Sequence, residues 1–456
     1  MNAVAPVQAV AANPFEAAVG GVLDELATFR VRLWAPVLLG VVMMFDSWDS
    51  VAIAYAMPSM SREWGLSPVV SGLLFSVGYF GQFIGAIALG ALAEKLGRMP
   101  VLVCAVAVMG VLALGCALAG DYRVLMGVRL IQGVAIGGAL PVAITYINEL
   151  APTKTRGRYF ALFQFLCMSG YACASVSSSY IIPNLGWRWL FGLGALPLLL
   201  LPLVVATLPE SPRWLARASR IDAANKALTQ LGGRSVDAVG GAWAQVAQVA
   251  AERVPLTTVF RGPYLRRTSV ILALWFLTAF TNFGLVNWAP TIFSSVFKLP
   301  LADALKLAAA PTVLFLVVTP IVALLLDRVG RRPLAIFGAA VAAVALITLA
   351  FLTEAPVGLM VGLVIAGQLA VSIGSLVLWP FTAENYPTLT RAVAMGIASS
   401  TARAASMFTP TFVGVMLSGG GSVRVVFGVF GVFSALAVIL WLTATRETAR
   451  VSLDSV

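Results

Sequence analysis

Histidine is absent from all 456 residues, which excludes a His-ligated metal site and any imidazole proton relay. Charge is scarce as well. Asp, Glu, Lys and Arg make up 11% of the chain, against about 25% in a soluble domain, and 60% is hydrophobic. Such a chain is a multispan membrane protein. The four cysteines, Cys104, Cys116, Cys167 and Cys173, all fall in apolar runs without a CxxC pair. Neither a disulfide framework nor a thiolate metal site is expected, and they read as small core residues. Acids number 19 against 30 Lys and Arg, a net charge of +11. That excess does not signal nucleic acid, because the basic residues cluster in alternate loops, as the orientation rule for membrane proteins requires. No nucleophile–base constellation or cofactor motif is visible, so neither an enzyme nor a bound cofactor is expected. Residues 1–32 lack a basic segment followed by an apolar core. They read as a cytoplasmic tail with a short surface helix before Arg30 and Arg32.

What remains is apolar runs. Open strands cannot satisfy their backbone in lipid, so these runs are helices. Twelve are predicted, at 33–57, 67–93, 99–118, 123–148, 157–180, 187–208, 268–296, 301–326, 333–353, 357–382, 391–417 and 423–445. The expected fold is an all-α membrane protein with two pseudo-symmetric halves of six helices, 33–208 and 268–445. A cytoplasmic linker, 209–267, joins them, and 446–456 forms a cytoplasmic tail. With both termini and the linker inside, 22 of the 30 Lys and Arg are cytoplasmic and six lie outside. The two left over, Arg129 and Arg403, fall within spans.

Buried charges are the costly features. Asp46 and Asp49 sit near the middle of the first span, one turn apart on one helix face. A carboxylate at that depth costs several kcal/mol unless it is paired, wetted or protonated. Arg129, about two turns into the fourth span, must find a carboxylate, and the first span offers Asp49 first and Asp46 next. Two acids near one arginine leave one unneutralised, so proton coupling through this trio is expected. The competing reading is a permanent structural pair. Arg403, mid-way along the eleventh span, has no acid in the membrane part of its own half. Its planar guanidinium suits a substrate carboxylate held by two parallel hydrogen bonds. A long-range pair with Asp46 or Asp49 is the alternative.

The halves repeat each other. Gly90-Ala-Leu-Ala-Glu94-Lys-Leu-Gly97-Arg98-Met-Pro100 recurs as Ala323-Leu-Leu-Leu-Asp327-Arg-Val-Gly330-Arg331-Arg-Pro333. Glu149-Leu-Ala-Pro152-Thr153-Lys-Thr155-Arg156 recurs as Glu384-Asn-Tyr-Pro387-Thr388-Leu-Thr390-Arg391. Pairs Glu94–Arg98, Asp327–Arg331, Glu149–Arg156 and Glu384–Arg391 are expected to bridge helix ends and gate the inner face. The paired loops resemble the signature loops of the major facilitator superfamily, and Arg129-Leu-Ile-Gln-Gly133 resembles another of its motifs. Met99 departs from that pattern, which usually has a second basic residue, and this is expected to weaken the inner gate of the first half. Pro209-Glu210-Ser211-Pro212-Arg213-Trp214-Leu215 is similar to the sugar-porter and organic-ion branches. Phe45-Asp46-Ser47-Trp48-Asp49 resembles the aspartate pair of niacin permeases and aromatic-acid:proton symporters. The stretch through Thr401-Ala-Arg403-Ala-Ala-Ser406 looks like helix 11 of organic anion transporters, where the matching arginine is implicated in anion recognition.

The resemblance implies alternating access, with a substrate site between the halves near the midplane. Candidate lining groups are Phe283, Trp288, Tyr146, Tyr171 and Trp379, with Asn282, Asn287, Gln164, Gln368 and Ser375 as polar contacts. The stretch from Asn282 to Pro290 is expected to be a broken, cavity-lining helix because it carries Gly284 and Pro290. The leading expectation is proton-coupled uptake of a small organic anion, an aromatic monocarboxylate such as nicotinate or benzoate. The proton gradient would drive it, in a monomer in the cell inner membrane. A sugar or polyol symporter and a drug or metabolite efflux antiporter are the alternatives.

Overall fold

The structure, a computed structural model, describes residues 14–26, 33–236, 255–262, 264–352, 355–419 and 422–449. A surface helix, α1 (Pro14–Glu25), precedes the first span; Arg30 and Arg32 lie outside the described residues. The first half follows as α2 (Ala35–Trp64), α3 (Pro68–Leu96), α4 (Arg98–Ala117), α5 (Tyr122–Leu150) and α6 (Arg156–Leu185). The sixth span is split into α7 (Trp187–Leu193) and α8 (Pro197–Thr207), and the linker carries α9 (Pro212–Arg217) and α10 (Ile221–Gln230). The second half is α11 (Tyr264–Thr291), α12 (Leu301–Val329), α13 (Arg331–Phe351), α14 (Val357–Glu384), α15 (Thr388–Ser418) and α16 (Val423–Ala444). Eleven spans are apolar enough to identify by composition alone. The twelfth, α15, is the longest continuous helix at 31 residues but carries Ser399, Ser400, Thr401, Arg403 and Ser406.

Local chemistry sets the ends. Asp121 caps α5 by accepting the Arg123 and Val124 N–H groups at 2.7 and 3.0 Å, and Gly65 ends α2 in the left-handed region. That helix runs seven residues past the predicted end at Met57. Its polar extension is anchored by Glu63, which accepts from the Trp187 indole at 2.7 Å and pairs with Arg188 at 2.8 Å.

One expectation fails. α11 is continuous through Gly284 and Pro290, and its only departure from α geometry is a π turn over Ile292–Val296. Gly284 is a packing residue, because the Phe430 ring fills the space a β-carbon would need. Cys104 and Cys173 also differ from expectation: they lie on exposed helix surfaces, while Cys116 and Cys167 are buried.

With twelve spans, α1 and the residues after α16 share one face of the bundle, the terminal face. α1 buries Phe15, Val19, Val22, Leu23 and Leu26 against the linker helices. Asp24 at its end accepts the Thr153 N–H at 2.6 Å and hydroxyl at 2.8 Å, tying α1 to the α5–α6 loop.

The contacts that join the halves lie toward the opposite, far face. There the Tyr55 hydroxyl donates to the Ala308 carbonyl at 3.0 Å, and Ser76 meets Thr411 at 2.7 Å. Gly72 lies on the Pro410 backbone and Gly414 on that of Pro68, so α3 and α15 cross with no room for a β-carbon at either glycine. Of the ion pairs found among the described residues, none joins one half to the other. The bundle is thus sealed at its far face.

Candidate functional site

Asp49, Arg129 and Gln132 form a closed polar knot between α2 and α5. Asp49 is 1% exposed and Arg129 3%. Arg129 Nη1 donates to Asp49 Oδ2 at 2.5 Å and to Gln132 Oε1 at 3.0 Å. Gln132 Nε2 donates in turn to Asp49 Oδ1 at 3.0 Å. Both carboxylate oxygens are therefore engaged, which a buried ion pair needs to offset its desolvation. The guanidinium lies 5.9 Å from the centroid of the Phe191 ring, and at Gly194, in the break between α7 and α8, a β-carbon would meet the Phe191 carbonyl at 2.9 Å. Gln132 is absent from the sequence-predicted set, although its place one turn after Arg129 marks it as a partner on the same face.

Asp46, one turn away, is placed differently. It is 5% exposed, and its Oδ1 is buried without a hydrogen-bond partner among the described residues. The groups that act on it electrostatically are Asp49 on its own helix, Cys167 and Tyr171 on α6, and Arg403 on α15 of the other half. Arg403 is half-buried and, among the described residues, has no carboxylate in salt-bridge range. Its charged neighbour is Asp46, followed by Tyr171. A cation from one half and an unpartnered acid from the other thus face each other across the interface.

Two amides complete the polar set. Gln164, two turns before Tyr171 on α6, and Gln368 on α14 each hold a buried Oε1 without a partner among the described residues. Asn282 accepts the Ser372 hydroxyl at 3.3 Å, and Ser375 bonds back to the Val371 carbonyl at 3.2 Å. Trp379 is 48% exposed and packs edge-on to Trp275 at 5.0 Å.

Four expected lining residues do structural work instead. Tyr146 lies one turn from the terminal end of α5, where its hydroxyl donates to the Pro209 carbonyl at 2.7 Å. Trp288 is buried, its indole donating to the Pro410 carbonyl at 3.3 Å and its ring meeting Phe75 at 5.8 Å. Asn287 accepts the Tyr79 hydroxyl at 3.2 Å, and Phe283 meets the Tyr79 ring at 5.4 Å. The last three residues belong to the far-face seal.

Of the four pairs expected at the terminal face, Glu94–Arg98 and Asp327–Arg331 form and the other two do not. Arg98 joins Glu94 at 2.8 Å and Glu149 at 3.1 Å, and Glu149 also takes Arg217. Arg331 joins Asp327 at 3.3 Å and Glu384 at 2.8 Å, and Glu384 accepts the Thr448 hydroxyl at 2.6 Å. Glu149–Arg156 and Glu384–Arg391 pairs do not form. Arg156 acts on Asp24, and Arg391 Nε donates to the Tyr386 carbonyl at 3.3 Å. The closer partners win because Arg98 and Arg331 emerge at helix starts directed at the neighbouring helix end.

One further acid completes each network, and neither was singled out from the sequence. Glu210 accepts the Arg98 N–H at 3.0 Å and the Met99 N–H at 3.2 Å, at the start of α4. Glu447 accepts the Arg331 and Arg332 N–H groups, both at 3.0 Å, at the start of α13. Gly97 and Gly330, at φ 110° and 105°, make room for these carboxylates. Burial pushes the Glu210 carboxyl above the ordinary range. For Glu447, burial also pushes upward, but four backbone N–H donors outweigh it and hold the group below that range. Arg332 donates to the Trp441 and Leu442 carbonyls at 3.0 and 2.7 Å. Met99, at the matching place, has no such donors.

Comparison with known proteins agrees with this architecture. The chain matches the sugar (and other) transporter family over residues 37–456. It is 29% identical to the niacin transporter NiaP of Acinetobacter baylyi over 439 residues, covering 93% of this chain and 95% of that one. It is 30% identical to the gallate transporter of Pseudomonas putida over 418 residues, covering 89% and 90%. The arabinose-proton symporter of Bacillus subtilis matches at 29% over 438 residues, covering 91% and 92%. The partially occluded inward-open xylose transporter XylE from E. coli superposes with a TM-score of 0.71 at 22% identity, covering 91% of this chain and 98% of that one. With twelve spans in two halves of six and a match over nearly its whole length, the chain belongs to the sugar (and other) transporter family of the major facilitator superfamily, a family of membrane transporters.

Proposed function

We propose that the protein imports a small organic anion, an aromatic monocarboxylate of the nicotinate or benzoate kind, together with protons. The observation that carries this reading is Arg403: a half-buried guanidinium that, among the described residues, has no counter-ion in salt-bridge range, with Asp46 and Tyr171 of the other half as its electrostatic neighbours. Such a cation needs an anion, and a planar carboxylate fits its two parallel donors. The niacin and gallate transporters among its relatives support an aromatic acid. On this reading the terminal face is cytoplasmic, both termini lie inside, and the far-face seal makes the structure inward-facing. The unit is a monomer in the inner membrane, driven by the proton gradient without a cofactor.

The amide oxygens of Gln164 and Gln368, without a partner among the described residues, favour a second reading, a proton-coupled sugar symporter, since hydroxyl-rich substrates need such groups. The arabinose-proton symporter is a relative in support. Proteoliposomes decide between them. Under an inward proton gradient, uptake of labelled nicotinate or benzoate is expected, abolished by Arg403→Ala and by a protonophore. Uptake of arabinose or xylose that survives Arg403→Ala would replace the anion reading with the sugar reading.

A further inference from the structure

Two amides of the second half are left over by the packing, and they meet at one seam. The Ser372 hydroxyl on α14 lies 3.3 Å from Asn282 Oδ1 on α11 and 2.9 Å from the Gln368 carbonyl one turn back. Gln368 is 3% exposed, yet its Oε1 has no hydrogen-bond partner among the described residues. The Asn282 amide N–H groups donate to none of the described residues either. Gln368, Ser372, Ser375 and Trp379 fall at i, i+4, i+7 and i+11, so they form one stripe along α14. It is not the lipid-facing stripe, which is marked by the exposed Leu359, Gly362 and Ala366 on another side of the helix. The exposure of Trp379 therefore opens onto space between helices, at the end of α14 nearer the unsealed terminal face. Gln368 lies about 16 Å further toward the sealed far face, at 1.5 Å rise per residue. An unmet acceptor thus closes the inner end of a stripe that is open at its other end.

A buried amide oxygen without a donor carries a desolvation cost that a donor on a ligand would recover. We infer that Gln368, with Asn282 across the seam, reads a ring hydroxyl, and that the imported anion is a hydroxylated aromatic acid rather than nicotinate or benzoate. The inference rests on the anion reading and narrows it. A hydroxyl both donates and accepts, so it can satisfy Gln368 Oε1 and the Asn282 N–H groups together. The ring nitrogen of nicotinate only accepts; it answers Asn282 and leaves Gln368 Oε1 unmet. Benzoate answers neither. Since α11 packs against both α14 and α15, the amide seam and Arg403 belong to neighbouring helices of one half. Because they come from different helices, the hydroxyl they select stands meta or para to the carboxylate held by Arg403. One substrate then answers both the amide that favours a sugar and the cation that favours an acid.

The test measures binding and proteoliposome uptake by the full-length protein, with benzoate, nicotinate, para-fluorobenzoate and meta- and para-hydroxybenzoate as probes. In the wild type at least one hydroxybenzoate is expected to bind about 10- to 100-fold more tightly than benzoate, the effect of giving a buried unmet acceptor its donor. Para-fluorobenzoate, of similar size but unable to donate, is expected to bind like benzoate. That comparison needs no variant, so it decides the matter even where a substituted protein folds poorly. In Gln368→Met, a side chain of matching length without an amide, the hydroxybenzoates are expected to fall to the affinity of benzoate while benzoate is held as well as before. A merely structural role for Gln368 would instead weaken every probe together. Wild-type affinities equal for benzoate and both hydroxybenzoates would mean that water fills the place, and would overturn the inference. A hydroxyl preference that persists in Gln368→Met, or one matched by para-fluorobenzoate, overturns it as well; each of these results leaves the anion reading standing. Failure of the wild type to bind or import any of these probes overturns both.

Discussion

Asp49 and Arg129 show how little latitude a buried charge leaves its neighbours. Each is almost wholly removed from solvent, and each meets the other and Gln132. Removing one partner strands the other, which typically costs about 3–5 kcal/mol, whereas removing both restores neutrality. Asp49→Asn and Arg129→Gln are each expected to lower the thermal stability of the purified protein strongly. The double variant is expected to regain most of the loss. A double-mutant cycle by thermal unfolding checks this, and additive losses would mean that the pair does not hold the helices together. The pair itself was legible in the sequence, because a mid-membrane arginine needs an acid and only two stood within reach. Gln132 was not, since one amide in an apolar run is chemically compatible with several neighbours. Nor could helical spacing separate an aromatic that lines a cleft from one that seals a seam: Trp288 and Phe283 occupy the positions predicted for a pocket but pack against Phe75 and Tyr79.

At the level of the element, each half carries the same device: a glycine in the left-handed region, a helix beginning beside it, and a carboxylate from after the half's last span seated on the first N–H groups. The repeat of the glycine loop was visible in the sequence, and the matching places of Glu210 and Glu447 were available from the same comparison. Their role was hidden because it depends on backbone donors, which no side-chain pattern displays. A β-carbon on Gly330 would meet the Glu447 carboxylate at 2.6 Å, and the backbone there is strained for any other residue. Gly330→Ala is thus expected to destabilise by more than the roughly 1 kcal/mol of an ordinary glycine change. Thermal unfolding measures it; an unchanged Tm would show that the anchor is slack. Glu447 also gives a pH signature. Its folded-state pKa is depressed, so its contribution is present above the ordinary carboxylate range and lost as pH falls through the lowered value. Glu447→Gln is expected to lower stability by on the order of 1 kcal/mol at pH 7. That gap should close on acidification, and a gap independent of pH would mean that the charge contributes nothing.

For the whole molecule, number of spans and duplication followed from the sequence because lipid allows the backbone few choices. Which face is shut did not follow. Two states of a rocking transporter expose similar apolar surface to lipid and differ by a balance of contacts at their two ends, so hydropathy is blind to the difference. The structure places that balance at the far face, where Gly72 and Gly414 let α3 and α15 touch backbone to backbone and Ser76 meets Thr411 at 2.7 Å. If transport requires this seam to open, fastening it must stop the cycle. Ser76→Cys with Thr411→Cys, in a background where the exposed Cys104 and Cys173 are changed to Ser, places two thiols where the hydroxyls now meet. On oxidation the pair is expected to cross-link without added substrate, to abolish proteoliposome uptake, and to recover when reduced, while either single cysteine transports normally. Uptake that continues through the cross-linked protein would mean that α3 and α15 stay together throughout the cycle, and the opening would then have to be sought at another pair of helices.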